Sequence, residues 1–239
     1  YYYKIDPAGN QLPYMDGLVR TFVSDLQIQN LKILGNETDL QFQFIRLSDF
    51  PLFKRNEAKS SYWVMPLPAW QDYMLIFPIN LLTNDPAIQY ILSDVRFRQA
   101  LSLALNRNEI KEALFLGFGR EAQLAPLPGS PWHEEGFHPA FADYDPDRAH
   151  QLLDEMGLAW DEEHRYRLRP DGKPLTLRID YYDVTPPAGP GSEMAAAFWE
   201  EVGINIQVQK MDGAMRLSML PGGGHALALE FVIDNYNRS

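Results

Sequence analysis

Apolar residues recur along this chain with two periods, one helical and one of strand type, and the longest coherent stretch covers residues 93–117. Phe97, Ala100, Leu101, Ala104 and Leu105 fall at i, i+3, i+4, i+7 and i+8. They make one apolar stripe on a helix that Asp94 can cap. The phase breaks at Asn106. Asn106 and Glu109 stand three apart, close to a capping box with Asn in place of Ser or Thr. A second stripe follows at Ile110, Ala113 and Leu114, and Gly117 offers a left-handed stop. The pattern predicts two tandem helices joined at Asn106-Arg107.

Upstream, residues 18–22 read as a short strand, and Ser24 or Asp25 can cap a helix carrying Leu26, Leu31 and Leu34, closed by Gly35. Leu40, Phe42 and Phe44 alternate with polar residues, the period of a half-buried strand. Ser48-Asp49 opens a short helix through Leu52-Phe53, and residues 62–65 and 73–77 are expected as strands, the second ending at Pro78-Ile79-Asn80. Asp85-Pro86 is a cap with proline at the first helical position, followed by Ile88, Ile91 and Leu92.

Downstream of Gly117 lies a long connection containing Pro126, Pro128, Pro131 and Pro139. Ordered loops of that length are uncommon and tend to be functional or to wrap a surface. Asp145-Pro146 starts a helix with Ala149, Leu152, Leu153 and Met156 inward and Gly157 as its stop; residues 161–172 are a charged excursion, read as a hairpin. Leu175, Leu177, Ile179 and Tyr181 alternate as a strand. Ser192 is expected to cap a helix with Ala195, Phe198, Trp199 and Val202 inward. Ile204, Ile206 and Val208 give the next strand, Asp212 can cap a short helix, and residues 226–233 are apolar enough for a strand covered on both faces. Strand, helix, strand, helix, strand implies an open α/β sheet with helices on both faces.

At 46% hydrophobic and 22% charged, the 239-residue composition is that of an ordinary globular chain of one or two domains. The net charge of -11 argues against nucleic acid and against an anionic membrane surface, both of which it would repel. The absence of cysteine removes disulfides, thiolate metal sites and cysteine nucleophiles, and it fits an exported bacterial protein.

Val95-Arg96-Phe97-Arg98-Gln99-Ala100-Leu101, continuing to Asn106-Arg107 and Ile110, resembles a segment of the extracellular solute-binding proteins, family five, which serve oligopeptide-type ABC importers. Three further segments resemble that family in the same order. They are Asp6-Pro7-Ala8-Gly9-Asn10-Gln11-Leu12-Pro13-Tyr14, Tyr144-Asp145-Pro146-Asp147-Arg148-Ala149 through Leu158, and Trp199-Glu200-Glu201-Val202-Gly203-Ile204. At the family's Gly-Glu-(Ile/Val)-Asp position this chain has Asn36-Glu37-Thr38-Asp39, so the turn there is open to change. The resemblance starts inside the family's pattern and stops before its end. The chain is therefore expected to be an internal fragment of a longer, exported protein.

The resemblance implies an α/β fold of the type-II periplasmic-binding-protein kind. Residues 1–84 would form part of lobe I and residues 85–239 a truncated portion of lobe II, with Asn80 where the chain leaves the first lobe. It further implies a monomeric, periplasmic or extracytoplasmic binding protein without catalytic role, cofactor or metal. Such a protein captures a small solute between its lobes and presents it to the importer's membrane permease. Peptide ligands and saccharide or opine-like ligands both remain open. A glycoside-active enzyme and a ligandless sensor or scaffold are the readings from other classes.

His133 and His138 flank Glu134-Glu135, but in a proline-rich loop with no helix to align them they read as solvated residues, not metal ligands. The acid pairs Glu134/Glu135 and Asp180/Asp183 also read as solvated surface. Gly222-Gly223-Gly224 lacks the Lys-Ser/Thr of a phosphate loop, and Ser102, Ser192 and Ser218 sit in no nucleophile elbow. Trp199, at helical spacing, is core. Trp132, in a proline-braced loop, either packs under that loop or faces a ligand. Ligands of open α/β sheets gather outside the carboxyl ends of strands. The expected ligand-facing residues are accordingly Asn80, Trp132, His133, Tyr182, Asp183, Glu230, Phe231 and Asp234. Asp234 stands nearest to the aspartate with which the family's peptide binders hold an amino terminus, although the likeness fails just after it.

Overall fold

A computed structural model describes residues 3–41, 44–66, 75–126, 131–137, 139–181 and 187–212, and the backbone of 227–228. The chain divides into two compact units, Tyr1–Ile45 with Pro51–Val64 and Arg46–Phe50 with Met65–Ser239.

In the first unit, Asp25 caps α1 (Leu26–Leu34), accepting from the backbone N–H of Gln27 at 2.7 Å and of Ile28 at 3.0 Å. Gly35 closes the helix at an ordinary φ of -79°; the left-handed residue is Asn36, at φ 59°. Asparagine tolerates that conformation. Its side-chain oxygen then accepts from the Ser61 N–H and hydroxyl at 2.9 and 3.0 Å. The helix expected at Ser48-Asp49 appears as a 3-10 turn (Leu47–Asp49) running into α2 (Phe50–Asn56), three residues longer than the pattern suggested. Buried Phe53 meets Tyr62 edge-on at 6.4 Å, and the Tyr62 hydroxyl donates to the Phe53 carbonyl at 3.1 Å.

The strands expected over 18–22, 40–44, 62–65 and 73–77 are not formed by the described residues of those segments (Phe42, Gln43, Tyr73 and Met74 lie outside them). Leu18, Val19 and Phe22 are instead highly exposed. Strand-type alternation makes a strand only when a neighbour takes up the backbone hydrogen bonds. Here the described chain supplies none.

The second unit follows the pattern closely. Its helices are α3 (Pro86–Ser93), α4 (Val95–Leu103), α5 (Arg107–Phe115), α6 (Pro146–Glu155) and α7 (Ala188–Glu201). Asp85, Asp94, Asn106 and Asp145 cap the first four, each accepting a backbone N–H. The joint between α4 and α5 lies at Asn106: its side-chain oxygen accepts the Glu109 N–H at 3.1 Å while its amide donates to the Glu109 carboxylate at 3.2 Å. Leu116, at φ 55°, and Gly117, at φ 75°, share the left-handed stop expected of Gly117 alone.

Helix α7 starts four residues before Ser192, which is fully buried inside it and caps nothing. The run Gly189-Pro190-Gly191 looks like a loop but is the first turn of a helix. Proline is tolerated there because the first N–H groups have no partner anyway. The glycines fit because space is short: a Cβ on Gly189 would lie 3.1 Å from the Tyr181 hydroxyl, and one on Gly191 3.0 Å from a Leu75 methyl.

Strands β1 (Thr176–Tyr181), β2 (Asn205–Lys210) and β3 (Leu227–Ala228) form a parallel sheet in the order β2-β1-β3. Of the strand expected over 226–233 only β3 is described, and the short helix after Asp212 falls outside the described residues. The core runs through α3, α4, α5, α6, the buried face of β1 and α7, with Leu75, Phe77 and Ile79 packed against it. Trp199 locks two layers together: its indole N–H donates to the Leu101 carbonyl at 2.8 Å, and Phe77 meets it edge-on at 5.1 Å.

The charged excursion after α6 is a hairpin held by the bridges Trp160 with Arg167 and Leu168 with Pro174. It hides a surprise. Arg167 is 0% exposed. Its guanidinium donates to the Val202 carbonyl at 3.0 Å, the Asp154 carboxylate at 2.7 Å, the Leu158 carbonyl at 2.8 Å, and Nδ1 and the carbonyl of His150 at 3.2 and 3.3 Å. Trp160 stacks against it at 4.8 Å and against His164 at 4.3 Å.

Two expectations follow for stability. Asn106→Ala removes the cap of α5 and should cost about 1 kcal/mol in urea unfolding. An unchanged midpoint would mean that the joint does not depend on the cap.

The second concerns acid. Burial, and then the charge of Arg167, hold the His150 imidazole below its usual value, against a smaller pull from Asp154 and Asp147; His164 adds a minor push downward. A histidine depressed in the folded state contributes stability that is present above its unfolded value of about 6.5 and is lost as pH falls through the folded value. The melting temperature of the wild type should drop between pH 8 and 5.5 more than that of His150→Gln. Parallel curves for the two proteins would show that His150 does not titrate in this window.

Candidate functional site

Within the second unit, α4, α5, α7, residues 75–79 and the connection after α5 surround a cleft of about 1040 Å³. That is the upper end of the range for pockets that hold small molecules. The apolar wall comes from the same stripes that build the core: Phe77 and Ile79 from the extended segment, Leu101 and Leu105 from α4, Ile110 and Phe115 from α5. Among the described residues, four cationic side chains line it, Arg98, Arg107, Lys111 and Arg120, and no carboxylate does. In a chain of net charge -11 that is a local inversion of sign.

The polar corner is organised on Ser102, near the end of α4. Its hydroxyl accepts from Arg107 at 2.7 Å and from the Gln123 amide, and donates to the Phe141 carbonyl at 2.7 Å. Arg107 also donates to the carbonyls of Ser102 and Ala142 at 2.8 and 3.2 Å. Burial holds the Arg107 guanidinium below the usual arginine value, while the charge of Asp143 pulls it back up. A hydroxyl with one donated and two accepted bonds is saturated, and the groups touching it are two donors and a backbone carbonyl, none of them a base. Ser102 is thus a brace between helix, loop and cleft wall.

Arg98 donates to the carbonyls of Leu92 and Ser93, both at 2.8 Å, and so closes the end of α3. Lys111 pairs with Glu121 at 2.6 Å, and that bond raises its affinity for the proton.

Of the residues expected from the sequence, the described ones, Asn80, Trp132 and His133, do not line this cleft. Asn80 sits just past Ile79, its side-chain oxygen accepting the Leu82 N–H at 3.0 Å in a turn. Trp132 is 60% exposed, which removes the reading that it packs under its loop. His133 contacts the Pro126 carbonyl through Nδ1 at 3.0 Å, and Glu134 and Glu135 are exposed. Tyr182, Asp183, Glu230, Phe231, Asp234 and His138 lie outside the described residues. Among the described residues no three His, Asp or Glu side chains come together as a metal site.

Asp180 departs from expectation. It reads as solvated surface in the sequence but is 6% exposed, because it lies on the central strand and not beyond it. Sequence reasoning named Arg107 only as part of the helix joint and the family-like segment, and it passed over Gln123.

A family model for bacterial extracellular solute-binding proteins, family 5, middle region, matches residues 1–237. The chain belongs to the family 5 bacterial extracellular solute-binding proteins. The dipeptide-binding protein of Escherichia coli K12 is 24% identical over 230 residues, covering 94% of this chain and 38% of its own length. A glutathione-binding protein, GsiB, of Pectobacterium atrosepticum is 30% identical over 184 residues, covering 72% of this chain and 32% of its own. Among solved structures, the oligopeptide-binding protein OppA is similar with a TM-score of 0.70 at 30% identity, over 87% of this chain and 33% of its own. The fold is that of type-II periplasmic binding proteins, and the chain spans 32–38% of these curated family 5 relatives.

In this family 5 chain, the four sequence segments that carry the likeness fall mainly on caps, joints and core: the Asp6 turn, α4 with α5, α6, and the end of α7; the α4–α5 segment also brings Ser102 and Arg107 to the cleft's polar corner. Ser102→Ala leaves the Arg107 and Gln123 donors short of an acceptor and should cost about 1 kcal/mol in urea unfolding with an unchanged slope. A midpoint equal to the wild type would mean that water replaces the hydroxyl without loss.

Proposed function

We propose that the full-length protein containing this chain is the extracytoplasmic solute-binding component of an ABC importer, and that its solute is a small peptide or peptide-like molecule. The observation that carries this reading is the likeness to the oligopeptide-binding protein OppA, at 30% identity along 87% of the chain. The named curated relatives bind dipeptides and glutathione, which favours peptides over the saccharide and opine alternatives. Residues 1–84 belong to the first lobe and residues 85–239 to the second. The solute lies between them, hinge closure traps it, the closed form engages the permease, and no bond is broken.

Trp132, His133, Tyr182, Asp183, Glu230, Phe231 and Asp234 face the solute from the second lobe, and Asn80 marks the crossing. The cleft beside Ser102 supports the same reading, because an apolar wall with cations and, among the described residues, no carboxylates suits an apolar side chain and a terminal carboxylate. The protein works outside the cytoplasm as a monomer; no helix of the described residues is long and apolar enough to cross a membrane.

Native mass spectrometry of the full-length protein from its own host should reveal a co-purifying mass in the range of short peptides. A sugar adduct, or a thermal shift with saccharides and none with peptides, would overturn the peptide assignment. Titration of residues 1–239 beside the full-length protein tests the two-lobe mechanism. Losing half the contacts of a micromolar ligand, worth ~8 kcal/mol in all, leaves affinity beyond the millimolar range. Equally tight binding by both would locate the site in one lobe.

A further inference from the structure

Buried Arg167 has one neighbour whose chemistry changes with pH. Its Nη2 donates to Nδ1 of His150 at 3.2 Å. A guanidinium never accepts, so Nδ1 keeps its lone pair and the imidazole is neutral while this bond is made. A proton on Nδ1 would set donor against donor and place a second cation beside the first.

The surroundings offer little to absorb that charge. Trp160 lies between Arg167, 4.8 Å from its ring centroid, and a second imidazole, His164, stacked at 4.3 Å. His150 meets the same indole at 5.9 Å. Three groups able to carry positive charge therefore share one ring. Asp154 pairs with Arg167 at 2.7 Å, but its side chain is 62% exposed and spends much of its charge on water. The other charges acting on His150 are Asp147, on the same helix, and His164 on the hairpin.

The hairpin that carries Trp160, His164 and Arg167 has defined points of attachment. The Arg167 N–H donates to the Gly203 carbonyl and the Leu175 N–H to the Arg167 carbonyl, both at 2.7 Å, and the Leu168 N–H donates to the Ala159 carbonyl at 2.6 Å. Leu175 leads into β1 and Gly203 into β2, so the hairpin clasps the amino ends of both strands. Its far end is held separately by Arg169, which pairs with Asp85 at the start of α3 at 2.8 Å and with Asp171 at 2.6 Å. Both carboxylates are held below their usual range, Asp85 first by the Ile88 N–H and Asp171 first by Arg169. That second clasp therefore keeps its charges at a pH where an imidazole changes its own.

We propose that the hairpin of residues 160–174 is an acid-released latch, closed through neutral His150 and opening from Arg167 when His150 takes up a proton. Opening frees the amino ends of β1 and β2, so the packing of the sheet answers to the acidity of the medium. The latch goes beyond the solute-binding reading and does not depend on it. Its sign follows from the bond: the open form binds the proton more tightly, so falling pH favours opening.

Hydrogen exchange of the full-length protein, read by mass spectrometry at pH 7.5 and 5.5 with labelling times scaled to the intrinsic rate, tests this. At pH 5.5 the amides of residues 159–175 should exchange about tenfold faster than at pH 7.5 after scaling, the response to one proton taken up over part of that range. Those of α4 and α5 should not change. In His150→Gln, whose amide oxygen accepts from Arg167 and takes up no proton, the acid dependence should vanish, whereas His164→Gln should keep it. If His150→Gln does not fold, His150→Asn carries the same expectation. Wild-type protection that is equal at both pH values overturns the latch whatever the variants do. An equal loss in α4 and α5 also overturns it, because the whole unit would then be loosening. Acid dependence that survives in the folded His150 variant, or that disappears in His164→Gln, removes His150 as the trigger.

Discussion

One buried guanidinium decides whether the second unit can close. Arg167 has five N–H donors, and five acceptors from separate parts of the chain meet them: the end of α7, the stop of α6, and two residues on α6 itself. A charge taken out of water is tolerated only when its donors are met. Here that requirement fixes the hairpin after α6 against the entry to β2. Trp160 covers the flat face, where an aromatic ring is attracted to the cation. Gly203, at φ 87°, completes the arrangement, since a Cβ there would lie 2.6 Å from the Trp160 ring. The sheet begins immediately beyond: the Arg167 N–H donates to the Gly203 carbonyl and the Leu175 N–H to the Arg167 carbonyl, both at 2.7 Å.

Much of this unit is legible in the sequence because its information is local. Stripes at helical spacing and Asp or Asn one residue ahead of them name α3 through α6 and their starts. The alternation from Leu175 names β1. The family likeness rests on these same residues, which explains why it identifies the fold so readily and a ligand so poorly. Caps and core stripes are what a shared fold requires of every member. Contacts to a particular solute are scattered singly over loops and strand ends.

What the sequence conceals is mostly non-local. Arg167 lies in a segment dense with charge, where an exposed side chain is the ordinary expectation, and only its acceptors from distant turns make burial affordable. Asp180 follows an apolar alternation and looks like its solvated end, because nothing in the sequence tells that a strand will pair on that side. The cleft's polar corner depends on Ser102, Arg107 and Gln123 converging from a helix end, a helix start and a loop. Residues 18–22 err in the opposite direction: their β-type composition is genuine, but the described chain offers them no partner.

The glycine pair at the start of α7 links parts of the molecule that no hydrogen bond joins. Gly191 leaves room for Leu75, and Leu75 lines the cleft with Phe77 and Ile79. Alanine would ordinarily be the better helix former at such a position, by about 1 kcal/mol. Here its methyl would lie 3.0 Å from both Leu75 methyls, so Leu75, a lining residue, would have to shift to make room. Position 191 therefore bears on the shape of the cleft wall although Gly191 does not itself line the cleft.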